Sequence, residues 1–256
     1  MRRVALEFDM LGSGSGGNCG LMRTKFSTIL IDAGFSCKRT DEMLSDRGVL
    51  LERVDAIFIT HEHTDHIQGL RGLRKFGNIK FFANGNTAST LEKRFEFGIN
   101  WQTFSTGDKF TFRDLAVSSF SVPHDAVDPI GYVFSVDDAV DGDIKSLAWM
   151  TDLGYIPSHI IECVSSVDLL VIESNYDNEL LTIDRKRPPY IKARIRGRYG
   201  HLPNEAAINF IKTSKSHRWK KVVFAHVSAD CNNESSIRKL LGEVGELSFD
   251  VDIAHS

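Results

Sequence analysis

The sequence predicts an α/β fold on three grounds. The composition is that of a folded chain: 256 residues, 42% apolar and 25% charged, with a formal net charge of −3, long enough to bury a real core. Short β-rich runs alternate with helical patterns, with no low-complexity linker and no fixed-period repeat. Several apolar runs also stop on a histidine or an aspartate, and strand ends are where α/β architectures gather a site. Residues 1–256 read as a single domain.

Strands are expected at Val4–Met10, Thr28–Ala33, Ala56–Thr60, Lys80–Ala83, Leu115–Val122, Gly131–Val136, Leu147–Thr151, Leu169–Glu173, Lys221–Ala225 and Leu247–Val251. Most are rich in Val, Ile and Phe and bounded by Gly, Asp, Asn or Pro. Helices are expected at Asn86–Phe97, which opens on an Asn cap candidate, and at Pro203–Lys212 and Glu234–Val244, which repeat apolar residues at three- and four-residue spacing. The Gly142 region reads as a hairpin tip, and Gly12–Gly20 as a Gly/Ser/Asn loop between two strands.

Whole classes of function drop out. The run Leu169-Leu170-Val171-Ile172 is far too short to cross a bilayer. Acidic residues break up the N-terminal stretch Val4-Ala5-Leu6-Glu7-Phe8-Asp9, which argues against a signal peptide. Cys19, Cys37, Cys163 and Cys231 form no C-x-x-C pair and are expected as free thiols in a reducing cytoplasm, with Cys19 and Cys231 as packing residues. The net charge does not suggest a nucleic-acid binder, but a local basic patch would suffice for one.

The strongest chemical signal is His61-Glu62-His63-Thr64-Asp65-His66, an H-x-H-x-D-H motif. In an extended segment His61 and His63 face one side and can grip one ion. A helix starting near Asp65 would turn Asp65 and His66 away, toward a second ion. Imidazole and carboxylate suit zinc or a similar first-row ion. Four strand-terminal residues accompany the motif: Asp32 after Ile29-Leu30-Ile31, His124 after Pro123, Asp152 after Thr151 and His226 after Ala225. Taken singly, each has a plain structural reading, such as a capped turn, an Asx turn or a satisfied core histidine. As a set they point to a site.

In order and approximate spacing these residues resemble the five motifs of the metallo-β-lactamase superfamily. Gly12–Cys19, Pro123-His124-Asp125, Ile172-Glu173-Ser174-Asn175, Gly200-His201-Leu202-Pro203-Asn204 and His226-Val227-Ser228 narrow the resemblance to a small bacterial branch, the YycJ/WalJ/VicX-like proteins. It implies a four-layer αβ/βα sandwich with a dinuclear metal site at the shared edge of two β-sheets. His61, His63 and His124 would hold one ion, and Asp65, His66 and His226 the other. Asp152 would bridge them, and Asp32 would orient a ligand histidine from behind. The implied activity is a DNA nuclease, a 5′-to-3′ exonuclease using a hydroxide activated by two divalent ions, zinc foremost and manganese as the other candidate. Tyr176 stands where relatives commonly carry His, and Pro203 replaces a usual Ser.

The chemistry needs a proton for the departing oxygen, and His201, just before a helix, is the candidate donor. Glu173 ends a strand and could steady His201 or the attacking water, or could accept from loop amides. On the Gly-rich loop, Ser13, Ser15 and Asn18 are candidate substrate contacts at the active-site rim, with direct phosphate binding left open. Arg185–Arg198 carries seven basic residues and no acid. Beside a phosphodiesterase site on an acidic chain it reads as a phosphate track, with Lys192, Arg194, Arg196 and Arg198 against a duplex end or a single strand of DNA.

Competing readings are an RNA-processing ribonuclease, a thioester- or lactam-type hydrolase, and a non-catalytic metal-binding regulatory module. The basic run disfavours the small substrates, and the two-ion ligand set favours turnover over regulation.

Overall fold

Apolar residues two apart in each central strand sort onto opposite faces, and that sorting generates the layers. In the computed structural model, which describes residues 5–137, 143–214 and 217–254, the first sheet has the order β1 (Glu7–Gly12), β2 (Cys19–Arg23), β3 (Thr28–Ile31), β4 (Ala56–Phe58), β5 (Lys80–Asn84) and β6 (Trp101–Phe104). The second has β7 (Lys109–Phe112), β8 (Leu115–Ser121), β9 (Ile130–Ser135), β10 (Ser146–Met150), β11 (Leu169–Glu173), β12 (Lys221–Ala225) and β13 (Asp250–Ile253) as consecutive neighbours. The helices are α1 (Cys37–Ser45), α2 (Thr64–Ile67), α3 (Leu70–Leu73), α4 (Gly85–Arg94), α5 (Ser158–Val164), α6 (Asn178–Ile183), α7 (Pro189–Ile195), α8 (Asn204–Thr213) and α9 (Glu234–Gly242).

Ile29, Ile31, Ala56 and Phe58 of the first sheet meet Tyr132, Phe134, Trp149 and Val171 of the second in one buried cluster between the sheets. The alternate residues face outward. Leu30 and Ile57 pack with α1, α3 and α4 through Leu44, Leu73 and Leu91. Ala148, Met150, Leu170 and Ile172 pack with α5, α8 and α9 through Ile160, Ile208 and Ile237. Helix, sheet, sheet, helix is the expected αβ/βα sandwich. Because both faces of the central strands are covered, these strands read as continuous apolar runs.

The two halves share one wiring. Each begins with antiparallel neighbours and switches to parallel pairing, at β3–β4 in the first sheet and at β10–β11 in the second. Just after β3 stands Asp32-Ala33-Gly34, and just after β10 stands Asp152-Leu153-Gly154. The two aspartates adopt left-handed φ values of 63° and 60°. These twin corners open onto one edge of the sandwich.

Several sequence expectations move. The last strand lies at Asp250–Ile253 rather than Leu247–Val251, because Leu247 and Phe249 pack on the core as a connector and the ladder to β12 begins at Asp250. The expected strand Val4–Met10 runs from Glu7 to Gly12, with Val4 outside the described residues. The cap of α4 is Asn84 and not Asn86, since the Asn84 side chain accepts from the Thr87 amide at 2.8 Å. The expected hairpin tip at Gly142 lies outside the described residues. Strands β2, β6 and β7 and helices α1, α3, α5, α6 and α7 were not anticipated as separate elements, whereas the helix expected near Asp65 is α2.

Candidate active site

The H-x-H-x-D-H motif follows β4, and its extended part leads into α2, so that Thr64 to Ile67 form one helical turn. That change of period sends His61 and His63 one way and Asp65 and His66 another. Arg94 of α4 fixes the turn from outside, donating to the Glu62 carbonyl and the Thr64 hydroxyl at 2.9 Å each. His124 arrives from the end of β8, Asp152 from β10, and His226 from β12.

Acceptors behind the rings, three side chains and one backbone carbonyl, set the imidazole tautomers. The Thr60 hydroxyl donates to Asp32 at 3.0 Å and is left to accept from Nδ1 of His61, also at 3.0 Å. Nδ1 of His66 donates to Asp32 Oδ2 at 2.7 Å, Nδ1 of His124 to the Gly200 carbonyl at 3.0 Å, and Nδ1 of His226 to Glu173 Oε1 at 2.8 Å. In all four rings Nε2 is the nitrogen turned toward the other site residues, the pattern of histidines held for a metal by an acceptor behind them.

Those nitrogens converge. Nε2 of His124 lies 3.2 Å from Nδ1 of His63 and 3.7 Å from Asp152 Oδ1. Nε2 of His66 is 3.3 Å from Asp152 Oδ2, and Nε2 of His226 is 3.5 Å from Asp152 Oδ1. Asp65 Oδ2 lies 3.5 Å from His66 and 3.4 Å from His226. Two triads emerge, His61–His63–His124 and Asp65–His66–His226, each with its ligand atoms within 4.8 Å of one another. Asp152 stands between them. The residues fit divalent cations on a direct observation: buried Nε2 of His61 and buried Oδ2 of Asp152 have no hydrogen-bond partner among the described residues, an expensive arrangement unless a cation accepts their lone pairs.

The electrostatics agree. Burial disfavours a charged Asp152, but the facing histidines, His226 and His66 first, hold its carboxyl well below the usual range. Burial likewise opposes charge on His66, which Asp152 and Asp32 nonetheless raise well above an ordinary imidazole, and His226 is pushed up to about 10 by Asp152, Asp65 and Glu173 against its burial. His61 is driven well below by burial and by His66. Metal binding at such nitrogens releases their protons.

Asp32, Asp152 and His226 are three of the four non-glycine residues with left-handed φ among the described residues. Such strain, of order 1–3 kcal/mol each, persists where the surroundings over-determine it. The glycines of the twin corners explain part of that. A Cβ on Gly34 would sit 1.9 Å from the Asp65 carbonyl oxygen, and one on Gly154 would sit 2.4 Å from the Arg198 carbonyl oxygen. Each corner is pressed backbone to backbone against the loop that carries a site residue.

Glu173 realises both roles left open for it. Oε1 lies 2.8 Å from Nδ1 of His201 and 2.8 Å from Nδ1 of His226, while Oε2 accepts the Leu153 and Leu202 amides at 2.9 and 3.2 Å. Two substrate-contact expectations are overturned. Ser13 and Asn18 are wholly buried. Ser13 accepts the His226 amide at 2.6 Å, and Asn18 lies 3.3 Å from Asp65 and 3.2 Å from His66. They brace the site from behind and cannot touch substrate. Ser15 is exposed and lines a small cavity of about 50 Å³ with His201, Tyr176 and Arg187.

The basic run is less bare than its sequence. Arg194 pairs with Asp125, Arg187 with Asp184 and Asp230, and Lys186 with Asp230. Lys192 bonds the Thr182 and Asp184 carbonyls, Arg196 the Asn178 carbonyl and the Thr182 hydroxyl, and Arg198 sits 4.6 Å over the Tyr155 ring. Lys192 and Arg196 thus tie α7 to α6, while Arg194 and Arg198 fix the segment to Asp125 and Tyr155 beside the site. Sequence reading missed Thr60, Asn175 and Asp125. Asn175 donates to the His226 carbonyl at 2.8 Å. Thr60 and Asp125 each adjoin a ligand histidine and Asn175 lies two residues from Glu173, and that proximity was the available signal for a role.

Residues 27–227 match the family model described as the beta-lactamase superfamily domain. The chain belongs to this superfamily. The superfamily implies divalent metal ions, consistent with the histidine and aspartate cluster. The chain is 34% identical over 245 residues to exodeoxyribonuclease YycJ of Bacillus anthracis, covering 95% of this chain and 90% of that protein. It is 35% identical over 240 residues to exodeoxyribonuclease WalJ of Streptococcus pneumoniae, covering 91% and 85%. Among solved structures, the metallo-beta-lactamase fold protein YhfI from Bacillus subtilis superposes with a TM-score of 0.72 at 17% identity, covering 98% of this chain and 97% of that one. The superfamily and branch read from the motifs are therefore borne out. No helix among the described residues is long and apolar enough to cross a membrane.

Proposed function

We propose that this superfamily member is a metal-dependent exodeoxyribonuclease that cleaves DNA phosphodiesters from a 5′ end, with two divalent ions, zinc or manganese, at the paired triads. The observation that carries the reading is the pair of triads around Asp152, with buried His61 Nε2 and Asp152 Oδ2 lacking a hydrogen-bond partner among the described residues. The exodeoxyribonuclease relatives, alike over nearly the whole chain, supply the substrate class.

His61, His63 and His124 would hold one ion, Asp65, His66 and His226 the other, and Asp152 would touch both. Bound ions of this kind lower the pKa of water and neutralise charge on a phosphodiester. The protein's own residues supply orientation and a proton. Asp32, Glu173, Thr60 and the Gly200 carbonyl lock the imidazoles, so the site needs little rearrangement when substrate arrives. With Nδ1 of His201 held by Glu173, Nε2 is the nitrogen from which a proton passes to the departing 3′ oxygen. The ring is 22% exposed at the rim, open to substrate. Arg194, Arg196 and Arg198 lie on the segment leading to His201 and hold phosphates in register without reading sequence.

The deciding experiment is digestion of end-labelled duplex DNA, single-stranded DNA and RNA in parallel after reconstitution with zinc or manganese, each strand carrying a 5′ phosphate or a 5′ hydroxyl. Mononucleotide release from the 5′ end of DNA is expected. Intact DNA beside a rapidly hydrolysed RNA, thioester or lactam would overturn the reading.

A further inference from the structure

The chain has five tyrosines, and their placement is uneven. Tyr132 and Tyr176 are buried, at 0% and 3% exposure, whereas Tyr190 and Tyr199 are 71% and 61% exposed. Tyr155, the fifth, is half-buried beneath the Arg198 guanidinium. All three tyrosines that reach the surface therefore belong to the basic α7 segment or to the corner against which it packs.

The backbone places them at the site. Tyr199 lies two residues from His201, a reach of at most about 7 Å between Cα atoms. The Gly197–Gly200 turn around it is held by the Gly200 amide on the Gly197 carbonyl at 2.9 Å, and the Gly200 carbonyl accepts from His124. Tyr190 and Arg194 are four apart on α7 and share a face, with Cβ atoms about 6 Å apart. Arg194 is anchored to Asp125, the neighbour of His124. Helix α7 buries none of its residues, so packing does not explain why Tyr190 is aromatic. Neither ring makes a hydrogen bond or ring contact with another described residue.

Exposed aromatic rings among cations beside a phosphodiester site suit one partner, a single strand, whose bases offer π-faces that a paired duplex keeps stacked internally. We infer that Tyr190 and Tyr199 form a stacking platform for unpaired bases of a DNA strand entering the site, with the basic residues of the same segment holding its phosphates. The inference rests on the nuclease reading and adds that the enzyme engages its substrate as an unpaired end. Duplex DNA would be taken only after its terminal pairs fray.

The test separates bases from phosphates. Fluorescence anisotropy measures binding of two labelled strands of equal length with uncleavable phosphorothioate linkages, one bearing bases and one abasic throughout. The wild-type protein is expected to bind the base-bearing strand roughly 10- to 100-fold more tightly. The double variant Tyr190→Ala/Tyr199→Ala is expected to lose that preference while binding the abasic strand as the wild type does, and Tyr190→Phe/Tyr199→Phe is expected to keep it. If the double alanine variant melts well below wild type, the single variants replace it, each expected to lose about half the preference on a logarithmic scale. Equal wild-type affinity for the two strands overturns the platform, as does a phenylalanine variant as impaired as the alanine one. Cleavage of DNA without base preference overturns the platform alone. A wild-type protein that neither binds nor cuts DNA overturns the nuclease reading and the platform with it.

Discussion

Oδ2 of Asp32 lies 2.7 Å from Nδ1 of His66, and both side chains are wholly inaccessible to solvent. A carboxylate this deep, with its other oxygen accepting the Thr60 amide at 2.8 Å, fixes both the tautomer and the plane of the ring. Asp32→Ala is expected to weaken metal affinity about 10- to 100-fold, the usual scale for losing the group behind a ligand histidine. Metal retained during dialysis against a graded chelator series measures it.

Loss of the central carboxylate is harsher. Asp152→Ala and His61→Ala are each expected to lose most bound metal, by elemental analysis of the purified protein, and all measurable turnover. Full activity in a metal-depleted Asp152→Ala protein would end the two-ion mechanism.

His201→Ala separates chemistry from binding. Metal content and DNA affinity should stay near wild type while turnover falls by roughly 10²–10⁴. The deficit should shrink on a nitrophenyl phosphodiester, whose leaving group needs no proton. An equal loss on both substrates assigns His201 to positioning instead.

Gly154 tests the corner that holds the His201 loop. A methyl group there meets the Arg198 carbonyl at 2.4 Å and the Gly197 carbonyl at 2.6 Å, backbone atoms that cannot step aside individually. Gly154→Ala is expected to destabilise the protein by about 1–3 kcal/mol, measured by urea melts, and to slow turnover with metal content intact.

Neutralising Arg194 and Arg196 together should weaken DNA binding and flatten its salt dependence by fewer than two counterions, because both cations already share protein acceptors. An unchanged slope of log affinity against log salt would place the DNA elsewhere.

The sandwich was legible wherever a strand is buried on both faces, since Ala56–Phe58, Leu169–Glu173 and Lys221–Ala225 announce themselves as apolar runs. It was not legible at the edges, where β6 exposes its two middle residues, β7 exposes every other one, and each is only four residues long. The site was readable because its ligands cluster at strand ends. What brings them to a common point was not, because Ser13 reaching His226 spans 213 residues of chain. The neutralisation of the basic run by Asp125 and Asp230 is likewise a tertiary fact. The polar Gly-rich loop suggested contact with substrate, yet its Ser and Asn face inward because buried amides and imidazoles demand partners.

The twin halves divide the ligands between them. The first sheet delivers Asp32, His61, His63, Asp65 and His66, and the second delivers His124, Asp152, Glu173, His201 and His226. Neither half contains both an intact triad and its bridge. During synthesis the first half emerges with three histidines and no Asp152, and His226 follows only when the twelfth strand has joined its sheet. A hydrolase built in this way stays inert as a fragment, and its catalytic competence becomes a reporter of the last long-range docking step in folding.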